Sequence, residues 1–462
     1  MNKLAEHLYD ISPDWFKDVM TSTYGYLLYR QRYGGRFEEF LQEQIGYLSQ
    51  PYNTLVEVQN KRLQAIVHHA YEHVPYYQNV FDRLKLTPND IRTKEDLVKI
   101  PILGKDVVRT HPESLLARTV KKSKCVRHYT SGTTGTPLTF YTTHKGLQYS
   151  HALEFFVRFI YGTSFKSRRA SFIGRIIVPH HQTSPPFWHY NVSLKQYLFS
   201  SYHMSDRTLP FYIKKMEEFT PEEIVGYPSS LYTLAQFITK HAITSIRPKV
   251  VLGNSEPMLA FQREVIREAF QCPVHEWYSS TEQAFFAYEC PHHSYHIVHP
   301  YGIVEIVDSK GMPLEHDATG DIVCTGLTNY AMPLIRYQIG DSASIGTAEC
   351  PCGNKSEVFK NILGRSDDLL ITPDGRSIGR LDPVFKGLNG IKECQIIQKK
   401  RDRLLLKIVK DECFSAREET QVITSLQKRI GTAMDIHVEY VDTIPREANG
   451  KFRAVVSHLS DT

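Results

Sequence analysis

The sequence has 462 residues, of which 41% are hydrophobic, so it is long and apolar enough for two or three domains with buried cores. This composition excludes a disordered scaffold. Its 55 basic and 50 acidic side chains give a formal net charge of +5, too small an excess to indicate a nucleic-acid partner.

The first residues, M-N-K-L-A-E-H-L-Y-D, lack an apolar core of signal-peptide length. No later stretch approaches the roughly 18 apolar residues that a membrane span requires. We therefore expect a cytoplasmic protein without a transmembrane segment. Its eight cysteines are then expected to be reduced thiols or metal ligands rather than disulfides.

Residues 1 to about 110 are predicted to be mainly helical, because apolar residues recur at helical spacing between Val58 and Tyr71, before a break at Pro75. Thr93 followed by Asp96 is a capping signal for a further short helix. Beyond this part, short β-rich runs alternate with helical stretches, which is typical of an α/β architecture that holds ligands at strand ends. The predicted elements are strands at 250–252, 274–278, 303–307 and 322–324 and a helix at 257–270.

The character of the sequence changes between Gly364 and Gly379, where Pro373-Asp374-Gly375 predicts a turn. After it we expect a strand at 404–409, a helix at 416–430 and a strand at 436–440, which form a small domain joined by a hinge. The predicted fold class is therefore α/β, with a large N-terminal domain of β-sheets and helices and a small α+β C-terminal domain. The predicted boundaries are 1–110 for the helical part of the large domain, 111–365 for its core and 366–462 for the small domain.

A run of small, hydroxyl-bearing and glycine residues, Y-T-S-G-T-T-G-T-P, occupies positions 129–137. Its glycines let the main chain approach an anion closely, and its hydroxyl and N–H groups can donate to phosphate oxygens. The lysine-containing pattern of kinase and GTPase phosphate loops is absent. The run favours a triphosphate-binding loop, and the alternative is a flexible turn between two strands. The residues that would contact phosphate are Thr130, Ser131, Gly132, Thr133, Thr134 and Gly135.

A second constellation combines Cys290 with a Cys-x-Cys pair, Cys350 and Cys352, that lies beside a glycine. Such a pair is typical of a zinc knuckle, and Cys290 with His296 can supply the other two ligands of a closed tetrahedral site. We therefore predict a structural zinc ion. The alternatives are unligated thiols or another histidine as the fourth ligand: His292, His293 or His299.

Further motifs follow the glycine run in order: Y-S-S-T-E at 278–282, R-Y at 336–337, G-D at 340–341, G-R-S-D-D at 364–368 and P-R-E-A-N-G-K at 445–451. This order resembles the adenylate-forming enzymes, the superfamily of acyl- and aryl-CoA ligases, nonribosomal adenylation domains and luciferases. The runs H-A-Y-E-H-V-P-Y-Y, L-V-K-I-P-I-L-G-K-D, G-Y-P-S-S-L and P-L-I-R-Y look like the phenylacetate–CoA ligase family, in its branch associated with capsule and exopolysaccharide biosynthesis. The resemblance covers essentially the whole chain.

The resemblance implies that the chain binds ATP with Mg²⁺ and converts a small carboxylic acid to an acyl-adenylate. It assigns the glycine loop to the β- and γ-phosphates and Glu282 to the magnesium ion, which prefers carboxylate and phosphate oxygens. Tyr278 would lie against adenine, Asp341 would accept hydrogen bonds from the ribose, and Arg365 would lie close to the same sugar. The predicted nucleotide site also includes Ser255, Glu256, Ser279 and Thr281.

Lys451 and Glu282 are the predicted catalytic residues. The ammonium of Lys451 is a point charge that can bridge the substrate carboxylate and the α-phosphate of ATP, where negative charge develops. In this superfamily the small domain is expected to be mobile and to rotate about a hinge aspartate after adenylation, and Asp367 matches that position. The sequence departs from the superfamily at Leu138 and Thr139, which replace a common lysine, and at Ser279, where glycine is common.

Three functions remain open at this point. The first is a ligase that transfers the acyl group to CoA, and the second is a ligase that acylates an amine on a sugar or amino acid. The third is a non-catalytic nucleotide-binding protein. The acid pocket is expected near residues 227–229, 253–256 and 278–280, but the sequence does not identify the acid. Because members of the resembled family form dimers, a homodimer is a further expectation.

Overall fold

The structure is a computed structural model that describes residues 12–129, 138–174, 177–179, 182–346, 350–365, 370–373, 377–378, 390–412, 414–447 and 452–459. The α-helices of these residues are α1 (Asp14–Tyr33), α2 (Phe37–Tyr47), α3 (Tyr52–His73), α4 (Pro75–Leu84), α5 (Lys105–Thr110), α6 (His144–Ile160), α7 (Leu209–Phe219), α8 (Pro228–Lys240), α9 (Ala260–Phe270) and α10 (Ala416–Ile430). None of the described helices is both long and apolar enough to cross a membrane.

The strands of the described residues number from β1 to β20. The first ten are β1 (Val126–Tyr129), β2 (Thr139–Thr142), β3 (Arg169–Ile173), β4 (Trp188–Asn191), β5 (Gln196–Ser200), β6 (Glu223–Gly226), β7 (Val250–Gly253), β8 (Val274–Ser279), β9 (Phe286–Glu289) and β10 (Tyr295–Ile297). The others are β11 (Gly302–Val307), β12 (Thr319–Gly326), β13 (Tyr337–Gly346), β14 (Val358–Arg365), β15 (Leu370–Ile371), β16 (Ser377–Ile378), β17 (Ile391–Lys400), β18 (Arg403–Lys410), β19 (Asp435–Tyr440) and β20 (Val455–Ser457).

The chain forms two compact units, each assembled from segments that are distant in sequence. One unit, here called the helix-rich unit, contains residues 26–164 and 277–362. Its sheet runs in the order β11-β12-β13-β14-β10-β9, and β9 pairs antiparallel with the second half of β8. Helices α3 and α4 contribute Leu63, Ile66 and Tyr77 to the core of this unit, all three without solvent exposure. The unit therefore has its own hydrophobic core.

The second unit, here called the parallel-sheet unit, contains residues 1–25, 165–276 and 363–462. Strands β5, β3, β6, β7 and the first half of β8 are parallel, and β4 adds an antiparallel edge. Every residue of β6 and β7 is buried, which is the pattern of a parallel sheet covered on both faces. The buried carboxylate of Glu223 in β6 is paired with Arg169 at 2.8 Å, which satisfies a charge in the core.

The C-terminal part of the parallel-sheet unit is a small sheet in the order β19-β18-β17-β20, accompanied by α10. Helix α10 begins at a capping box, in which Glu418 accepts a hydrogen bond of 3.1 Å from the N–H of Ser415. Its apolar residues Val422 and Leu426 lie in one core with Leu404 and Leu406 of β18. This is a small α+β domain, as the sequence predicts.

The predicted helices and strands are confirmed, with small shifts at their ends, whereas Asp374 and Gly375 of the predicted turn lie outside the described residues. The helix predicted at 257–270 begins three residues later, at Ala260, and the strand predicted at 322–324 extends over Thr319–Gly326. Asp96 accepts hydrogen bonds from the N–H groups of Arg92 and Thr93 and caps a short 3₁₀ helix, Lys94–Lys99. The predicted domain boundaries at residues 110 and 365 stay a prediction.

Candidate functional site

Tyr278 and Asp341 form the centre of the candidate nucleotide site in the helix-rich unit. Tyr278 lies near the end of β8 and Asp341 lies in β13, and the Tyr278 hydroxyl donates a hydrogen bond of 2.5 Å to the Asp341 carboxylate. Phe285 and Phe359 hold the Tyr278 ring by edge contacts, with centroids 5.0 and 5.4 Å away. Burial, reinforced by the Asp341 charge, raises the pKa of Tyr278 well above its ordinary value. The phenol is therefore a hydrogen-bond donor at neutral pH.

Glu282 lies a few residues beyond β8 and forms a second carboxylate–phenol pair. Its carboxylate accepts a hydrogen bond of 3.1 Å from the hydroxyl of Tyr337, whose side chain is fully buried. Burial raises the pKa of Glu282, while the Lys105 ammonium lowers it. The ionised form of such a partly desolvated carboxylate is stabilised when a cation binds to it. Ser279 and Thr281, which lie between Tyr278 and Glu282 in the sequence, are exposed.

Lys105, the second lysine of the L-V-K-I-P-I-L-G-K-D run, is a further functional candidate to which the sequence alone assigned no role. It is the first residue of α5, and its ammonium lies so close to Gly340 that a Cβ there would stand 2.4 Å from the nitrogen. Gly340 also has a φ of +82°, which disfavours a side chain for a second reason. Gly340 thus leaves room for a lysine beside Asp341 and Glu282. The Gly104-Lys105 pair is the sequence feature that could have pointed to this lysine, but only the fold brings Lys105 close to Gly340.

Arg336, the arginine of the R-Y motif, is buried and serves the fold. Its guanidinium pairs with Glu305 at 3.1 Å and donates to the carbonyl oxygens of Ile100 and Gly311 at 2.8 and 2.9 Å. Its own carbonyl oxygen accepts a hydrogen bond from the N–H of Leu103. Arg336 thereby fixes the segment before α5, which carries Lys105, against β13.

Ser255 and Glu256 belong to the parallel-sheet unit. Ser255 is exposed and has a φ of +67°. The Glu256 carboxylate accepts hydrogen bonds from two backbone N–H groups, that of Ser229 at 3.0 Å and that of Phe452 at 2.6 Å. Burial raises the pKa of Glu256, and these hydrogen bonds oppose that rise. Both carboxylate oxygens thus have protein partners in this unit.

Some predicted site residues lie outside the described residues. These are the glycine loop, Thr130 to Gly135, the predicted hinge residue Asp367 and the predicted catalytic residue Lys451. Arg365 is the last residue of β14, and the structure does not describe its side chain. Their predicted roles stay predictions.

The four predicted metal ligands lie together in the helix-rich unit. The sulfur atoms of Cys290, Cys350 and Cys352 and a ring nitrogen of His296 all lie within 4.8 Å of one another. The Cys290 and Cys350 sulfurs are 3.5 Å apart, and the Cys352 sulfur is 3.3 Å from Nε2 of His296. Tetrahedral zinc, with bonds of about 2.3 Å to sulfur and about 2.0 Å to nitrogen, places its ligands about 3.5 Å apart. The cluster fits that geometry.

The environment of the cluster also suits a metal. Burial lowers the pKa of His296 to about 4, so its ring is neutral at pH 7 and can offer a lone pair. Its other nitrogen lies 3.1 Å from the Ser356 hydroxyl, which fixes the ring orientation. Burial raises the pKa of Cys350, but hydrogen bonds from its neighbours outweigh burial and lower that pKa, whereas burial raises the pKa of Cys290 and of Cys352.

The structure shows which of the candidate histidines lies beside the three cysteines. His296 lies in β10, opposite Tyr288 of β9, and Cys290 follows β9 directly. His293 instead contacts the Glu289 carboxylate at 2.7 Å, and His299 contacts Glu357 at 3.2 Å. Within the described residues, His296 is therefore the histidine that joins the three cysteines.

Comparisons with known proteins show which proteins the chain resembles. The family profile for the CapK C-terminal domain matches residues 370–458. The chain is 28% identical to Protein CapK of Staphylococcus aureus over 99% of its own length and 100% of that protein. It is also 28% identical to the phenylacetate-coenzyme A ligase of Thermus thermophilus, over 70% of this chain and 72% of the relative.

Solved structures support the same fold. A crystal structure of 2-hydroxyisobutyryl-CoA ligase in the postadenylation state superimposes with a TM-score of 0.71, at 19% identity, over 89% of this chain and 91% of that one. The anthranilate CoA ligase AuaEII gives a TM-score of 0.52 at 15% identity, over 85% of this chain and 79% of that one. The fold is thus that of the adenylate-forming ligases. Within it, the chain is similar over its whole length to Protein CapK and over about 70% of its length to phenylacetate-coenzyme A ligases.

Proposed function

We propose that this protein is an ATP-dependent ligase that activates a carboxylic acid as its acyl- or aryl-adenylate and transfers the acyl group to CoA. A carboxylate oxygen attacks the α-phosphorus of ATP and pyrophosphate leaves. The CoA sulfur, having lost its proton, then attacks the acyl carbon, and AMP leaves with the electron pair of the broken C–O bond. The first step makes a poor electrophile reactive, because AMP is a far better leaving group than oxide.

The observation that carries this proposal is the hydrogen bond between Tyr278 and Asp341, with Glu282 beside them. Adenine and ribose are joined by one bond, so an aromatic side chain for the base and a carboxylate for the sugar hydroxyls must be neighbours. Tyr278 and Asp341 meet that condition at 2.5 Å. The phenylacetate-coenzyme A ligases among the relatives support the same reading.

Mg²⁺ is the natural cation for Glu282, because this ion prefers carboxylate and phosphate oxygens. Bound there with ATP, it would neutralise charge on the phosphates and on the leaving pyrophosphate. Burial raises the pKa of Glu282, and the ammonium of Lys105 opposes that rise, so the lysine favours the ionised form that binds a cation.

Lys451 is the proposed catalytic cation, which bridges the carboxylate and the α-phosphate as charge builds between them. The small C-terminal domain, residues 366–462, is proposed to rotate between the two steps so that one site first excludes water and then admits the thiol. ATP and CoA place the proposed activity in the cytoplasm.

The cluster of Cys290, His296, Cys350 and Cys352 is proposed to hold a structural zinc ion. Three thiolates and one imidazole complete a tetrahedral shell and leave no position for substrate, so the ion would stabilise the fold. It would tie the β9–β10 hairpin to the turn before β14.

ATP–pyrophosphate exchange with a library of carboxylic acids tests the proposal. We expect exchange with at least one acid, and we expect Lys451→Ala to keep ATP binding while losing most exchange. An absence of exchange with every acid, or an unchanged rate in Lys451→Ala, would contradict the proposal. Release of AMP on addition of CoA identifies the acceptor, whereas release only with sugar or amino-acid amines would assign the second step to amide formation.

A further inference from the structure

Glu256 occupies an unusual position in the parallel-sheet unit. It lies in the loop after β7, yet its carboxylate holds the backbone of two distant segments. One is the first turn of α8 at Ser229, and the other is Phe452, 196 residues further along the chain. A carboxylate at a helix N-terminus is a stabilising cap, but a cap accounts only for the first of these bonds.

The bond to Phe452 is the shorter of the two, at 2.6 Å against 3.0 Å. A carboxylate that accepts a short hydrogen bond from an N–H group holds it more strongly than a neutral acceptor does. Phe452 directly follows Lys451 in sequence. Any group that fixes the N–H of Phe452 therefore fixes the chain one bond away from the proposed catalytic lysine.

Phe452 also has contacts within the small domain. The guanidinium of Arg446 lies 4.5 Å from the centre of the Phe452 ring, and Arg446 itself pairs with Glu393 of β17. A small cavity of about 50 Å³ lies beside Phe452, between Tyr232 of α8 and the small sheet. The ring is only half-buried, so directed contacts contribute to the position of the segment beside the apolar packing of Leu259 and Phe261 on the small-domain core.

The chain after Phe452 is anchored separately. The carbonyl oxygens of Arg453 and Ala454 accept hydrogen bonds of 2.8 and 2.9 Å from Gln395 and Ile396 of β17. These bonds belong to the small sheet, whereas the bond from Phe452 reaches the loop after β7 of the parallel sheet. Glu256 thus joins the start of this strand segment to the loop after β7 by a hydrogen bond.

We propose that Glu256 is a positioning residue for adenylation, which holds Phe452, the residue after the proposed catalytic lysine, in place for the first half-reaction. This inference rests on the proposed function. It assigns Glu256 to the lysine segment rather than to the nucleotide. Because the small domain rotates before the thiol attacks, the second half-reaction does not require this contact.

The test compares Glu256→Ala and Glu256→Gln with Glu264→Gln, a control carboxylate on the exposed side of α9. We expect pyrophosphate exchange to fall about tenfold to a hundredfold in Glu256→Ala, through kcat, with KM for ATP changed less than about twofold. Thioester formation from a synthetic acyl-adenylate and CoA should keep its wild-type rate. The Glu264→Gln control should match the wild type in both steps.

Three outcomes would overturn the inference. A rise in KM for ATP with unchanged kcat would make Glu256 a nucleotide contact, as the sequence predicted. An equal loss in both half-reactions would make it a general structural residue. Unchanged kinetics in Glu256→Ala would remove the role altogether.

Amide hydrogen exchange tests the contact between Glu256 and Phe452 without relying on enzyme activity. Peptides that cover residues 446–454 should exchange about tenfold faster in Glu256→Ala, while peptides from β17 keep their protection. Unchanged protection at Phe452 would overturn the inference even if the protein catalyses nothing. Absence of pyrophosphate exchange in the wild type would instead refute the proposed function, so the two failures can be told apart.

Discussion

Tyr278 and Asp341 are joined by a hydrogen bond of 2.5 Å between a phenol that stays protonated and a carboxylate. The bond connects the end of β8 with β13, two strands that do not pair with each other. It holds the carboxylate in one orientation before any nucleotide arrives, which lowers the entropic cost of binding. The Tyr278 hydroxyl is therefore expected to matter for ATP affinity more than for the chemical step.

Tyr278→Phe tests this expectation, because it keeps the ring against Phe285 and removes only the donor. We expect KM for ATP in pyrophosphate exchange to rise about threefold to tenfold, with kcat nearly unchanged. Tyr71→Phe is the control, since Tyr71 makes a comparable but exposed bond to Asp82 at 3.3 Å. Equal effects of the two substitutions on KM would contradict the role of Tyr278.

Glu282→Gln removes a charge while keeping the size of the side chain. If Glu282 binds Mg²⁺, exchange should fall about a hundredfold or more, and added Mg²⁺ should not restore it. Tyr337→Phe is the matched variant, because it deletes the 3.1 Å hydrogen bond to Glu282 and leaves the charge in place. It should lose less than about tenfold. A wild-type rate in Glu282→Gln across a magnesium titration would refute the assignment.

The sequence predicts the regular elements well because their periodicity is local. The strand at β7 and the helix at α10 follow from residues within a few positions of each other. Contacts between distant segments are another matter. The pairing of Glu256 with Phe452 spans 196 residues, and the approach of Lys105 to Gly340 depends on the segment that Arg336 holds. No local pattern encodes either contact.

The metal cluster is an intermediate case. The Cys-x-Cys pair with Cys290 pointed to zinc from spacing alone, but four histidines lay within reach of Cys290 in sequence. The choice of His296 depends on the register of β10 against β9, which sets its side chain near the cysteines. A one-residue slip would turn that side chain to the other face, so the sequence could not settle the ligand.

Metal analysis tests the cluster. The purified protein should contain about one zinc ion per chain, and Cys352→Ser should lose it and melt at a lower temperature. Cys272→Ser is the control, because that buried thiol lies in the parallel-sheet unit and outside the cluster. Wild-type zinc content in Cys352→Ser, or a metal-free wild type of unchanged stability after chelation, would refute the site.

Arg336→Met should destabilise the protein strongly. It removes the cation that pairs with Glu305, and both side chains are only 3% exposed. Breaking a buried pair from one side costs about 3 to 5 kcal/mol of unfolding free energy. Urea denaturation measures this loss, and the double variant Arg336→Met with Glu305→Gln should recover part of it. A loss below about 1 kcal/mol would mean that the pair contributes little.

Glu357 makes the stability of the helix-rich unit depend on pH. Burial alone would raise the pKa of this carboxyl, but the hydrogen bond with His299 and the ammonium of Lys94 outweigh it and hold the pKa at about 2, below the ordinary value of 4.5. The Lys94 nitrogen lies 3.1 Å from the carboxylate, which is 11% exposed. The folded protein thus binds this proton less tightly than the unfolded chain.

The sign of the effect follows from that depressed pKa. Glu357 contributes its full stabilisation above pH 4.5 and loses it as the pH falls toward 2. The shift corresponds to about 3 kcal/mol. Glu357→Gln should therefore be less stable than the wild type at pH 7, and the difference in unfolding free energy between them should shrink as the pH is lowered from 5 to 3. Urea denaturation of both proteins across this range measures it, and a difference independent of pH would show that the charge of Glu357 is not its source.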